Sequence, residues 1–337
     1  MSDVRTAAAA AEVVITGIGT AVRGLDGPGQ LLEPLPDGHR DAADPVGRLS
    51  GRGLRYKDRA TKLAMVAARD ALRDASLTDE SGGLTVPGES VGVSASTNYG
   101  NADTVCETVS TIAESTYLGT SPMMLPATSS NVVASWIAIT HGLRGANLTL
   151  CNGPTSGLDA VNWARVLIRS GRVERMVVVG VEPDNPAVRQ VAGVPALFDG
   201  AVALVVESSL SAGARGVRVL AGLGPYARRG RHADAVSSVR AVRPGPVGLW
   251  CVPEHPEGVR APAAGLGAAA GSVPVHDLAA VHGSASGALG VLQCAAAAVW
   301  LSSRSGAVEE VVLASAGTGD AGGDDASAAL LVTGGVR

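Results

Sequence analysis

The sequence predicts a layered α/β protein made of two repeated halves, with helices packed between sheets. Apolar runs typical of buried strands alternate with helical patterns along the chain. Two Ala-rich helices, at 157–168 and 287–300, are apolar on nearly every side, as helices buried on all faces are. The elements around these two helices follow the same order, which indicates an internal duplication.

The first half begins with an apolar strand that ends in glycine turns, followed by a loop at 25–50 rich in Gly, Pro and Asp. Strands are predicted at 12–18, 90–95, 147–151, 175–181 and 202–207, and helices at 58–75, 103–112, 131–141 and 156–170. The run at 175–181 is continuously apolar, which is typical of a strand buried on both faces. Gly142 is expected to end the third helix.

The second half restarts at 217–222 and repeats the central unit. From residue 152 the chain reads NGPTSGLDA, a helix and SGRVERMVVVG; from residue 282 it reads HGSASGALG, a helix and SGAVEEVVLAS. The second helix is predicted to be about one turn longer. We divide the chain into an N-terminal half, 1–208, and a C-terminal half, 209–337, that form one compact unit.

Composition excludes several classes of function. The net charge of −4 lacks the basic footprint of a nucleic-acid binder, so the cluster Arg228, Arg229, Arg231 and His232 is predicted to be a solvent-exposed loop. Four cysteines without CxxC or Cys/His spacing predict a reduced compartment and no metal site. With no signal-peptide pattern and no apolar run long enough for a bilayer, we expect a cytoplasmic protein without membrane attachment.

Three motifs resemble the β-ketoacyl synthase branch of the thiolase superfamily. They are SNVVASWIAITHGLRGANLTL at 130–150 followed by NGPTSGLDA, GSASGALG at 283–290, and ASAGTGD at 314–320. In that family the corresponding segments are a helix, turn, strand and nucleophile elbow, a Gly-His-x-x-Gly-Ala-x-Gly motif, and a closing Asn-Ser-Phe-Gly-Phe-Gly-Gly turn. The resemblance implies a thiolase-type five-layered αβαβα sandwich in which two chains pair through the strand at 147–152.

The resemblance places the family's cysteine nucleophile at Pro154. An active ketosynthase needs a thiolate at the N-terminus of the central helix, and the backbone N–H of that residue helps to bind the oxyanion. Proline supplies neither group, yet it fits the first turn of a helix. The substitution therefore keeps the architecture and removes both chemical functions.

The resemblance also implies that the supporting residues are lost. The family's second histidine aligns with Ser284, the lysine upstream of it with Ala279, and the two phenylalanine gates with Ala316 and Thr318. His255 stands near the place of the first histidine, but Pro-Glu-His-Pro matches the usual Asn-Ala-His-Gly poorly. The sequence therefore predicts no catalytic residue and no cofactor.

Four other residues near these motifs carry groups that could act as a nucleophile or a base. Cys151 is predicted to be a structural residue inside a strand. Thr155 and Ser156 lack an adjacent base and are predicted to cap the helix. His282 is predicted to be a turn histidine with satisfied hydrogen bonds.

A ketosynthase homologue without its cysteine resembles the chain-length factors of type II polyketide synthases. These have glutamine at the lost position, followed by Ala-Gly-Gly-Leu-Asp-Ala; residues 157–160 match this pattern and Pro154 departs from it. The resemblance implies a heterodimer with an active ketosynthase, an acyl carrier protein as second partner, and a tunnel that limits the growing chain. It assigns Val105, Thr108 and Ile112 to the tunnel wall; the alternative is that they are core residues. The shortened segment before the strand at 202 favours polyene-making systems.

Two enzyme alternatives remain open. A divergent thiolase-like acyltransferase or hydrolase would use Cys151 or Ser156 as a displaced nucleophile. A nucleotide-dependent oxidoreductase would use the glycines of VVITGIGTAVRG, but Val22 occupies the third glycine position of the expected motif.

Overall fold

The computed structural model describes residues 12–194, 196–254, 273–304, 310–317 and 326–335. The strands are β1 Val13–Val22, β2 Val91–Ser96, β3 Asn147–Leu150, β4 Arg175–Glu182, β5 Gly200–Ser208, β6 Ala221–Arg229, β7 Val247–Cys251, β8 Val275–His276, β9 Val311–Ala316 and β10 Ser327–Gly334. The helices are α1 Arg59–Asp74, α2 Ala102–Ser115, α3 Val132–His141, α4 Ser156–Arg169, α5 Pro186–Ala192, α6 Ser209–Arg215, α7 His232–Val242, α8 Leu278–His282 and α9 Leu289–Ser302.

The strands form a sheet whose order is β3-β2-β4-β5-β1-β6-β10-β9-β7-β8. Counted from its outer edge, the first half reads β3-β2-β4-β5-β1 and the second reads β8-β7-β9-β10-β6, which is the same order five strands later. The halves join where Val13–Ile15 of β1 pairs with β6. The predicted duplication of the fold is therefore confirmed, whereas the boundary at residue 208 stays a prediction.

The elements form five layers that pack through three apolar cores, of which the central core covers both sides of the middle helices. One core surrounds α4 and α9 between the two half-sheets, a second packs α1 and α3 against the outer face of the first half-sheet, and a third packs α7 against the second. β4 is buried along its whole length, as its apolar sequence predicted. This is the αβαβα arrangement expected from the sequence.

The central helices α4 and α9 approach each other closely at two glycines. A Cβ atom on Gly157 would lie 2.6 Å from the backbone nitrogen of Gly290, and one on Gly290 would lie 2.2 Å from that of Leu158. Each helix follows a single 3₁₀ turn, Gly153–Thr155 or Ser286–Ala288, and each has 14 residues. The prediction of a longer second helix is therefore wrong.

Helix ends largely follow the local sequence. The Asp58 side chain accepts the Thr61 N–H at 2.6 Å and begins α1. Gly142 ends α3 in the left-handed conformation, as predicted. Of the helices that the structure describes, each is too short or too polar to cross a lipid bilayer.

The predicted exposed loop around Arg228 is confirmed only in part. Arg228, Arg229 and Arg231 are exposed, but Arg228 and Arg229 end β6 and only residues 230–231 lie outside regular structure. His232 begins α7, where it is fully buried and stacks on Trp250 with ring centroids 6.0 Å apart. The prediction failed for His232 because the charges of a local cluster do not show which distant aromatic ring packs against it.

Candidate functional site

The turns before α4 and α9 lie side by side at the carboxyl ends of the parallel strands β2, β3 and β4. Gly153 and Ser286 open these turns with positive φ angles of 78° and 40°. Pro154 lies in the first turn, half-buried, where its ring supplies no N–H to the space in front of the helix. The two turns thus have similar backbones. Only the turn before α4 has a proline as its second residue.

Asn98 links the two turns. Its Nδ2 donates to the Gly153 carbonyl at 3.0 Å and to the Ser286 hydroxyl at 2.8 Å. Its Oδ1 accepts the Gly153 N–H at 3.2 Å and the Ser156 hydroxyl at 3.1 Å. Sequence reasoning missed this residue, although a polar side chain just after a buried strand is a usual site signal in α/β proteins.

Glu182 is a fully buried carboxylate at the end of β4. It accepts the N–H groups of Asn98 at 2.6 Å, Tyr99 at 3.1 Å and Gly287 at 3.1 Å. The Thr97 hydroxyl also donates to it, at 3.0 Å. Burial raises the pKa of Glu182 to about 7, although these hydrogen bonds act in the opposite direction. The sequence signal was an acid that ends an apolar strand, and sequence reasoning missed it.

Glu254 lies next to Ser284, the residue predicted from the sequence to replace the family's second histidine. The Ser284 hydroxyl donates to one carboxylate oxygen of Glu254. The other oxygen accepts the N–H groups of Ala285 at 3.2 Å and Ser286 at 3.0 Å. A carboxylate therefore binds the turn at this position, and sequence reasoning missed Glu254 as well.

Asp159 forms a second polar cluster on the other side of Pro154. It accepts hydrogen bonds from the Asn152 amide, the Tyr226 hydroxyl and, at 2.8 Å, the Thr155 hydroxyl, and Arg228 Nε lies 3.6 Å away. Burial and the Asp159 carboxylate raise the pKa of Tyr226 above its usual range, so Tyr226 remains a donor. The prediction that Thr155 caps α4 is wrong, because its hydroxyl donates to a side chain instead of accepting a backbone N–H.

Ser156 does not cap the helix either. Its fully buried hydroxyl accepts the N–H of Asn152 at 2.8 Å, on the preceding turn, and lies 2.7 Å from the Gly153 carbonyl oxygen. Among the described residues, these amide and carbonyl groups hold it, and no imidazole or carboxylate does. Ser156 therefore lacks the adjacent base that a serine nucleophile requires.

Cys151 is exposed and follows the end of β3, so its predicted place inside a strand is wrong. Desolvation of its sulfur and the charge of Glu182 both raise the pKa of Cys151. The residue is therefore a thiol at neutral pH and lacks the activation of a catalytic cysteine.

Ala279 and His282 belong to α8 and line a cavity of about 600 Å³, together with Arg59 and Phe198. Pro154 and Ser284 are not among the residues that line it. His282 Nε2 bonds to the Leu31 carbonyl at 2.9 Å, whereas its buried Nδ1 has no hydrogen-bond partner in the described part of the chain. The prediction of a satisfied histidine therefore holds for one ring nitrogen only, and burial lowers the pKa of His282.

The three tunnel-wall candidates lie on α2. Val105 and Ile112 are 37% and 45% exposed, and Thr108 is half-buried beside a small cavity of about 150 Å³. The alternative that they belong to the core is wrong, because only Thr104 of α2 is buried. Of the other aligned positions, Ala316 is buried at the end of β9, while His255 and Thr318 lie outside the described residues.

Apolar side chains remain exposed along α2 and the two turns that pack against it. We call this surface the α2 face; it consists of Val105, Val109, Ile112, Tyr117, Leu118, Met123 and Leu125. Nearby, β3 is the edge strand of the sheet, and it packs against α3 and α4, which expose Ile139 and Trp163. An open strand edge flanked by apolar side chains is suited to pairing with another chain.

Comparisons with known proteins agree with this architecture. The structure superposes on a type II PKS acyl-carrier protein complex with its ketosynthase bound to the hexaketide, with a TM-score of 0.75, 16% identity, and coverage of 96% of this chain and 99% of that chain. It also superposes on the ishigamide ketosynthase/chain length factor, with a TM-score of 0.70, 22% identity, and coverage of 96% and 100%. The protein therefore has the thiolase-like fold of ketosynthases.

Sequence comparison finds similarity to ketoacyl synthases over part of the chain. Residues 32–192 match the model of the β-ketoacyl synthase N-terminal domain. Over 205 residues, 52% of this chain, the protein is 32% identical to the tetracenomycin polyketide synthase ketoacyl synthase alpha subunit of Streptomyces glaucescens. The chain is therefore similar to ketoacyl synthases over about half of its length, and it spans 46% of the length of that relative.

Proposed function

We propose that the protein is a non-catalytic ketosynthase homologue that pairs with an active ketosynthase and bounds the tunnel for the growing acyl chain, as a chain-length factor does. The observation that carries this proposal is Pro154 at the start of α4. A residue with no thiol and no N–H removes both the nucleophile and one oxyanion donor. Loss of such a donor alone costs about 3–4 kcal/mol of transition-state stabilisation.

The surroundings of Pro154 support the same conclusion. Condensation develops negative charge on oxygen, which positioned donors must stabilise. Beside Ser284 stands the carboxylate of Glu254, and it already occupies the N–H groups of Ala285 and Ser286. The carboxylate would repel a developing oxyanion, and the two N–H groups are already hydrogen-bonded to it. The site therefore supports a structural role and not a catalytic one.

The edge strand β3 and the apolar residues around it support a partner. An unpaired edge exposes N–H and C=O groups that a second chain can extend. The chain-length-factor neighbour has the same fold, and the acyl-carrier-protein complex indicates the class of second partner. We therefore propose pairing through β3 with an active ketosynthase, and transient binding of an acyl carrier protein.

The α2 face supplies the proposed tunnel wall. Val105, Thr108 and Ile112 recur at helical spacing, and two of them are exposed in the isolated chain. Apolar groups that are exposed alone become covered when a partner and an acyl chain occupy the interface. In this proposal the shortened segment before β5 belongs to a polyene-making system in the cytoplasm.

The proposal is tested by co-expression with a ketosynthase that retains cysteine and two histidines. We expect a one-to-one complex that condenses acyl and malonyl carrier thioesters, and no product when either chain is omitted. Condensation by the purified chain alone would contradict the proposal.

The second candidate is an acyltransferase with a displaced nucleophile, and the exposure of Cys151 is the observation that favours it. Acyl carrier thioester is incubated with the lone chain, and labelled peptides are mapped by mass spectrometry. The raised pKa of Cys151 predicts no label there, and Cys151→Ser serves as the control. Turnover-dependent labelling that disappears in this variant would establish the second candidate.

A further inference from the structure

Two carboxylates bind the turn before α9 at three consecutive backbone N–H groups. Glu254 accepts those of Ala285 and Ser286, and Glu182 accepts that of Gly287. We call Glu182 and Glu254 the carboxylate pair. One member comes from the N-terminal half and the other from the C-terminal half, so the turn is held from both.

The same turn is joined to the segment that leads into α2. Glu182 also accepts the N–H groups of Asn98 and Tyr99, and the Ser286 hydroxyl accepts the Asn98 amide. Tyr99 stands three residues before the first residue of α2. The position of the turn is therefore transmitted to the start of α2 by partly buried hydrogen bonds.

The internal duplication shows that the fold does not require carboxylates bound to the backbone of this turn. At the corresponding turn before α4, the described backbone N–H contacts are made by the Asn98 side chain and the Ser156 hydroxyl, whereas the Asp159 carboxylate binds the side chains of Asn152 and Thr155. Because α4 and α9 begin with similar backbone geometry, the contact of Glu254 is a feature that the turn before α9 has and the turn before α4 lacks. Ser286, a non-glycine residue at φ 40°, is the strained residue whose N–H Glu254 binds.

We propose that Glu254 is a positioning residue that, by fixing the turn at Ser284–Gly287, fixes the start of α2 and thereby the wall that limits chain length. Glu254 acts on the turn directly, and Ser286, Asn98 and Glu182 carry the effect to α2. The link to chain length rests on the proposed function, whereas the mechanical link to α2 does not.

Hydrogen exchange on the lone full-length chain tests the mechanical link. The variant Glu254→Gln keeps the size of the side chain but replaces the charge-assisted hydrogen bonds to the Ala285 and Ser286 N–H groups with weaker neutral ones. We expect backbone amides of residues 98–115 to exchange about tenfold faster, because the weaker bonds let the turn open more often. The matched control is Glu89→Gln, in an ion pair with Arg144 whose carboxylate is 63% exposed, which should leave exchange unchanged.

Unchanged exchange at 98–115, or an equal increase throughout the chain, overturns the proposal. If Glu254→Gln does not fold, Ser284→Ala removes one hydrogen bond to Glu254 and leaves its two backbone bonds in place. We expect a smaller increase at the same amides from Ser284→Ala, because Glu254 loses one of the bonds that orient it, and unchanged exchange there equally overturns the proposal.

Product analysis of the complex with an active ketosynthase tests the link to chain length. We expect Glu254→Gln to broaden or shift the distribution of product lengths, and Glu89→Gln to preserve it. An unchanged distribution from an active variant complex overturns the role in chain length. A wild-type complex that makes no product instead contradicts the proposed function, and the hydrogen-exchange result still decides the mechanical link.

Discussion

In the proposed function, a single substitution at Pro154 does not restore condensation activity. Pro154→Cys returns both a thiol and an N–H, but Ser284 and Ala279 still supply no imidazole and no ammonium group. Each missing donor to the oxyanion lowers the rate by about 10²–10³-fold, so we expect no detectable condensation by the lone chain. The measurement is detection of the condensation product formed from acyl and malonyl carrier thioesters, in a background in which the exposed Cys106 and Cys151 are replaced by serine. Multiple turnovers on the introduced thiol would contradict our interpretation of Ser284 and Ala279.

Glu182 makes a distinct contribution to the pH dependence of stability. Its pKa is raised from 4.5 to about 7 in the folded protein, so the folded state binds this proton more tightly than the unfolded state. Its contribution to stability is complete below pH 4.5 and is lost as the pH rises through 7. We expect the difference in unfolding free energy between wild type and Glu182→Gln to change by on the order of 3 kcal/mol from pH 5 to 8, in favour of the variant.

The comparison with Glu182→Gln is needed because histidines act in the opposite direction. Burial lowers the pKa of His141 to about 4 and also lowers those of His276 and His282. The contribution of these histidines to the free energy of unfolding decreases as the pH falls below 6.5. The same histidines are present in the wild type and in the variant, so their contributions cancel in the difference. A difference that is flat with pH, measured by urea unfolding, would show that Glu182 stays ionised throughout.

The sequence predicted the position of a missing nucleophile but not the polar groups that surround it. Proline at residue 154 is visible in a motif of consecutive residues. Glu182, Glu254 and Asn98 come from different strand ends, and their contacts with the turns exist only after the two halves pack together. Short-range patterns carry no information about such contacts, which explains why these three residues were missed.

At the scale of the elements, the approach of α4 to α9 depends on glycine. Gly157→Ala would place a methyl group 2.6 Å from the Gly290 nitrogen, and neither helix backbone can move without disturbing the central core. We expect a loss of about 1–3 kcal/mol in unfolding free energy, although alanine is the better helix former. Gly213→Ala in α6, where a Cβ would meet nothing within 4 Å, is the matched control and should gain about 0.5–1 kcal/mol. Equal effects of the two substitutions would refute close packing at Gly157.

The exposed side chains of the α2 face should matter for association and not for folding. Ile112→Asp places a charge on a residue that is 45% exposed, so we expect little change in the thermal unfolding of the lone chain. In a co-purification assay the same variant should lose the ketosynthase, because the charge would be buried without a partner. Leu210→Asp on α6, at 56% exposure, controls for a charge placed on an apolar surface residue elsewhere. Retention of the partner by Ile112→Asp would remove the α2 face from the proposed interface.

Segments with a clear helical or apolar pattern were predicted within a few residues, including the short strands β2 and β3, whereas segments without such a pattern were not predicted. α1, α3, α4 and β4 agree closely with their predicted bounds because each shows several repeats of a helical or apolar pattern. No helix was predicted at α7 and no strand at β7, which have 11 and 5 residues. Their burial is determined by contacts such as that of His232 with Trp250, which no local pattern shows.

At the scale of the whole molecule, the two halves share one core. The central core combines residues of β1, β4 and α4 with residues of β6, β9 and α9, so neither half can bury its inner face alone. We therefore expect a single cooperative unfolding transition for the full chain, with circular dichroism and tryptophan fluorescence giving the same midpoint.

The same argument predicts how fragments behave. Expressed separately, residues 1–208 and 209–337 would each expose an apolar half-sheet and a central helix, and we expect aggregation or no cooperative unfolding. Co-expressed, the fragments should associate, because the buried surface between α4 and α9 does not depend on the peptide bond after residue 208. A soluble fragment 1–208 that unfolds cooperatively on its own would show that the halves are independent domains, and would contradict the shared core on which the close approach of the two turns depends.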